Sequence, residues 1–154
     1  MFVTELGTHW RSCELEHLIL FMKQVWFHEN LIIGSNKLPT HATVIHGVSG
    51  TRRTGAFCIL SIVCRQLASK KSCAIVTTSL LVRKYRCNVL RSKAMFATVL
   101  LGTLYYAQES YLIRKKDPNY VSAIRLVSSA MLSKDRTDKY GGTDKKKQKT
   151  ESYK

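Results

Sequence analysis

Acidic residues are scarce in this chain of 154 residues: 10 Asp and Glu stand against 25 Lys and Arg, for a formal net charge of +15. Such an excess favours acidic partners, whether phosphorylated peptides, anionic lipid or nucleic acid. Part of the excess is only the C-terminal tail and generic surface charge. Cys-x-x-Cys pairs are absent. The five cysteines, Cys13, Cys58, Cys64, Cys73 and Cys87, are odd in number and irregularly spaced. Neither a disulfide framework nor a zinc site is indicated, and reduced thiols in an intracellular compartment fit best. His9, His17, His28 and His41 show no metal-ligand spacing, so no metal and no cofactor is expected. Met1 to Arg11 lacks a basic region followed by an apolar run, which argues against a secretory signal. The longest apolar stretch, Ala94 to Ala107, is interrupted by Thr98, Gly102 and Thr103 and is too short to span a bilayer. The expectation is a soluble, cytoplasmic protein without internal repeats.

What the chain does have is apolar content, 45% of residues, in periodic blocks. Leu15, Leu18, Ile19, Met22, Val25 and Trp26 recur at three- and four-residue intervals, which predicts an amphipathic helix over Cys13–His28. Gly34 to Pro39 reads as a loop, and Thr43-Val44-Ile45 as a short buried strand. A second helix is expected from Arg53 to about Ala68, with Phe57, Leu60, Val63, Cys64 and Leu67 on one broad face. A third runs from about Thr78 to Arg86. A fourth runs from about Ser92, a plausible N-cap, to Ala107. Beyond the polar break Arg114–Pro118, residues 119–133 suit a fifth helix. Residues 134–154 have the composition of a disordered basic tail. Its run Lys145-Lys146-Lys147-Gln148-Lys149 reads as a nuclear signal or, more commonly, a solvated tail.

The most informative stretch is His46-Gly47-Val48-Ser49-Gly50-Thr51-Arg52-Arg53-Thr54-Gly55, placed between the expected strand and the second helix. Backbone N–H groups and the positive end of a helix converge at such a turn, so it is a natural place for an anion. The stretch resembles the signature of the protein tyrosine phosphatases, His-Cys-(five residues)-Arg-Ser/Thr-Gly, with Gly47 where the cysteine belongs. Thr54-Gly55-Ala56-Phe57-Cys58, Ile59-Leu60 and Arg65-Gln66-Leu67 look like the family's helix after its phosphate loop. Val82-Arg83-Lys84-Tyr85-Arg86 is similar to its Leu-Arg-x-Gln-Arg segment. In the family's glutamine-bearing loop the register places Arg91 and Met95 at the two glutamine positions. Thr8-His9-Trp10 looks like the approach to the Trp-Pro-Asp loop, followed here by Arg11-Ser12.

The resemblance implies an α/β protein: a partial tyrosine-phosphatase-like fold, mostly its helical C-terminal half with a short sheet remnant. The partial domain would span residues 1–133, clearest over 8–107, with the rest of the family's large mixed sheet supplied by another chain or lost. The family's cysteine thiolate attacks phosphorus, an aspartate protonates the leaving group, and glutamines position water. Gly47 has no side chain to attack with. Ser12 is too weak an acid, and Arg91 and Met95 replace the glutamines. Cys58 is not expected to substitute, because it lies barely more than one turn past Arg53 on a helix. No catalytic residue is therefore assigned. What survives is a phosphate-binding loop of Gly47, Val48, Ser49, Gly50, Thr51, Arg52, Arg53 and Thr54, with Arg53 able to grip a phosphate bidentately. The expected role is an inactive phosphatase-like protein that holds a phosphotyrosine-containing partner. The alternatives are a tight turn kept because it packs, a residual phosphatase, and a basic nucleic-acid binder, the last not favoured.

Overall fold

The computed structural model describes residues 13–35 and 42–132, and these hold five helices: α1 Cys13–Ser35, α2 Arg53–Lys70, α3 Ile75–Tyr85, α4 Lys93–Glu109 and α5 Pro118–Leu132. The five predicted helices are all present, with shifted ends. α1 continues from His28 to Ser35 through Leu31, Ile32 and Ile33, apolar residues that extend the helix although roughly half of each is exposed. α3 begins at Ile75, three residues before the expected Thr78. Ser92 caps α4 as anticipated: its hydroxyl oxygen accepts from the Ala94 N–H at 3.2 Å. Asp117 does the same for α5. Its Oδ1 accepts from the Asn119 N–H at 2.8 Å, with Pro118 in the first helical position.

The expected α/β architecture is not what the chain forms. Among the described residues there is no strand and no sheet remnant. Residues 42–47 form no regular element, and the segment expected to be a buried strand is exposed, Val44 at 80% and Ile45 at 39%. A strand is defined by its neighbour, and no ladder partner lies beside this segment among the described residues. β-branched composition alone does not make a strand.

α2 lies at the centre of the packing. One side of it, through Phe57, Leu60, Cys64 and Leu67, joins Leu18, Ile19 and Met22 of α1 and Tyr106 and Ala107 of α4. Its other side, through Ala56, Ile59 and Val63, joins Val89, Leu90 and Val99. Such a helix needs apolar residues on two faces, which explains the broad apolar band in its sequence. α2 and α4 approach closely at Gly102, where a Cβ would lie 2.9 Å from Leu60 Cδ2. Thr98 and Thr103 are buried in α4 at little cost. Each donates its hydroxyl proton one turn back, to Ala94 O (2.9 Å) and Val99 O (2.8 Å). No helix among the described residues is long and apolar enough to cross a membrane.

Candidate phosphate-binding loop

The loop over residues 46–54 is held at its entrance by polar contacts. Glu29 of α1 accepts from the Thr43 hydroxyl at 2.5 Å and also pairs with the Arg65 guanidinium of α2. Arg65 in turn lies over the Trp26 ring, 5.1 Å from its centroid, and the Trp26 indole N–H donates to Ser61 Oγ at 2.8 Å. The segment before the loop is therefore tied to α1, and through Glu29 to Arg65 of α2.

Within the loop, the Ser49 and Thr51 hydroxyls meet at 3.2 Å. The structure places Gly47, Val48 and Ser49 in solvent, buries Gly50, half-buries Thr51 and Thr54, and exposes Arg52 and Arg53. His46 is also exposed. Val48 projects fully outward, so only its backbone can serve a ligand in the loop. Gly50 has φ +63°, a conformation that disfavours other residues by about 1–2 kcal/mol. A Cβ there would also meet Arg86 Nη2 at 2.6 Å. The positive φ is what calls for glycine here, because the exposed Arg86 guanidinium is the end of a flexible side chain that can shift.

Helix α2 opens directly out of this turn. The Ala56 N–H is bonded to Arg52 O at 2.9 Å. The N-cap residue Arg52 makes no side-chain cap bond, and no acidic residue lies in the first turn. The positive end of the helix dipole consequently faces the loop, and the turn itself contributes no carboxylate to offset it.

Gly47 and Thr54 come together across the turn. A Cβ built at residue 47 would lie 2.7 Å from Thr54 Oγ1. The Thr54 hydroxyl thus borders the space that a nucleophile's side chain would enter. The other expected catalytic positions are remote in role. Met95 packs against the second core cluster, and Arg91 is exposed just before α4. Cys58 is half-buried on α2. Burial pushes its thiol up, against an opposing pull from the Arg86 charge, so it rests as a neutral thiol rather than a thiolate. Trp10 and Ser12, matched to the acid loop, lie outside the described residues, as does the 134–154 tail.

One residue of the loop's support was missed from sequence. Arg86, at the end of α3, donates from Nη2 to Ser49 O at 3.0 Å and covers Gly50. Its place in the segment similar to Leu-Arg-x-Gln-Arg was the available signal.

The loop thus runs into a helix that no side chain caps and carries the arginine of the signature. Residues 8–105 match the sequence profile of the protein-tyrosine phosphatase family. That is more than half the chain, and the chain belongs to this family. No curated protein and no solved structure matches it. Helix α5 lies beyond the matched residues.

Proposed function

We propose that this chain is a pseudophosphatase: a tyrosine-phosphatase relative that binds a phosphotyrosine-containing protein through Gly47–Thr54 and does not hydrolyse it. The observation that carries the reading is Gly47 itself, a residue with no side chain at the nucleophile's position, beside a loop whose binding parts persist. Arg53 supplies the planar, doubly donating guanidinium that suits a phosphoryl group. The open end of α2 supplies backbone donors, and Thr54 a hydroxyl. A phosphate dianion meets no thiolate here, so like-charge repulsion at the loop floor is removed.

Cys58 does not revive catalysis on this reading. It sits on a helix, and burial keeps its thiol protonated. The exposed segment 42–47, with the β-branched run Thr43-Val44-Ile45, also suits pairing with a strand of another chain, which would extend the partnership beyond the phosphoryl group.

The experiment is fluorescence anisotropy with a labelled phosphotyrosyl peptide and its unphosphorylated counterpart. Saturable binding of the phosphorylated form alone, lost in Arg53→Ala, is the expected result. Equal binding of the two peptides, or an Arg53→Ala variant that binds as wild type, would refute it. Release of inorganic phosphate that persists in wild type and vanishes in Cys58→Ser would instead make the protein an enzyme.

A further inference from the structure

A groove of about 540 Å³ lies between α3, α4 and α5, away from the loop over 46–54. Its apolar lining includes Val76 and Leu80 of α3 and Leu126 of α5, which are 62%, 60% and 70% exposed. Arg83, Arg91 and Lys93 also line it, and among the described residues no acidic side chain does. Isolated surface leucines are ordinary, but apolar side chains gathered in one concavity under a rim of a single charge sign are the composition of an interaction site.

We infer that this groove docks an acidic amphipathic helix of a partner protein. Charge complementarity selects the occupant. The chain's own basic tail, with Lys145-Lys146-Lys147-Gln148-Lys149, would bring like charge to Arg83, Arg91 and Lys93. A second copy would bring a formal charge of +15 to the same rim. A partner carrying Glu and Asp beside its apolar stripe would gain from the rim and be steered to it. The form of the occupant follows from the walls. They are helices, whose backbone groups are bonded internally, so they offer no edge for an added strand. A recess between helices takes a ridge of side chains spaced i, i+4, i+7, whereas a flat anionic bilayer would reach the rim and leave the recess unfilled.

This inference is independent of the phosphoryl reading, since none of the groove residues belongs to the loop. Arg83 stands one turn before Arg86 on α3, so the two surfaces share a helix and use different side chains.

The test uses the full chain and a labelled synthetic helix of about four turns with a Leu stripe flanked by Glu. A second peptide carries Lys in place of every Glu, and a further arm uses vesicles of phosphatidylserine and phosphatidylcholine. Saturable binding of the acidic peptide is expected, with at least about tenfold weaker binding of the basic one. Leu80→Asp is expected to abolish binding, and Arg83→Glu with Arg91→Glu to weaken it about tenfold or more and to flatten its salt dependence. Both arginines are exposed, so this double variant remains informative should Leu80→Asp fail to fold. Arg53→Ala is expected to bind the acidic peptide as wild type does, which separates this result from any outcome at the loop. Equal affinity for the two peptides overturns the inference, as does insensitivity to both groove variants. Vesicle binding that Leu80→Asp removes, without binding of the acidic peptide, would assign the groove to a membrane surface instead.

Discussion

Gly47 and Thr54 set the chemistry at the scale of single residues. A thiol introduced as Gly47→Cys needs the Thr54 hydroxyl to move away from 2.7 Å, which a side-chain rotation achieves. It would then stand close to the first turn of α2, whose positive dipole end favours a thiolate. With p-nitrophenyl phosphate, whose leaving group needs little protonation, this variant is expected to give a burst of up to one p-nitrophenolate per protein. Steady turnover should not follow, because Arg91 and Met95 offer no group to position water. Stopped-flow absorbance reads both phases, and sustained turnover would show that the missing glutamines are not limiting. Arg86→Ala is expected to loosen the turn at Ser49 and Gly50, weakening phosphotyrosyl-peptide binding about tenfold while the helix content stays as in wild type. The place of the loop, immediately before a helix that starts at Arg53, was legible in sequence because a signature is local. Arg86 acts from 37 positions further along the chain, and only the packing of α3 on α2 brings it to the loop.

Among the elements, the helices were readable and the strand was not. Apolar spacing of three and four marks a helix wherever it occurs, and Ser92 and the Asp117–Pro118 pair mark their starts. The run Thr43-Val44-Ile45 carries strand composition, but pairing depends on a neighbour that no local pattern encodes. What holds this segment is a side chain: Glu29 joins Thr43 to α1 and Arg65. Exposed ion pairs contribute only about 0–1 kcal/mol to global stability. Glu29→Ala is therefore expected to leave the melting temperature nearly unchanged and to lower the NMR order parameters of the backbone over residues 43–47. A drop of many degrees would mean that the pair supports the core. At the start of α4, Ser92→Ala is expected to cost about 1 kcal/mol, read from urea unfolding, through loss of the bond to the Ala94 N–H.

For the whole molecule, two core clusters share α2, so its interior thiol reports on the fold. Burial pushes Cys64 up from 9.0 to about 12. The unfolded chain loses this proton at lower pH than the folded chain does. Its contribution to stability is full below pH 9 and falls away as pH rises from 9 towards 12. Wild type is expected to lose more urea resistance between pH 8 and 10.5 than Cys64→Ala, and an identical loss in both would contradict burial of the thiol. The family was visible from its motifs, and its match over residues 8–105 bears that out. The all-helical architecture was not visible, because the motifs carry the family's sheet by association while the residues described here pair no strands.

Phosphorus-31 NMR of a phosphotyrosyl peptide mixed with the full chain tests the central claim most directly, since binding and hydrolysis are read in one tube. The phosphotyrosine resonance is expected to broaden or shift with wild type, to recover with Arg53→Ala, and to persist for hours with no inorganic phosphate signal. A resonance unchanged by wild type, or a growing inorganic phosphate peak, would contradict the account.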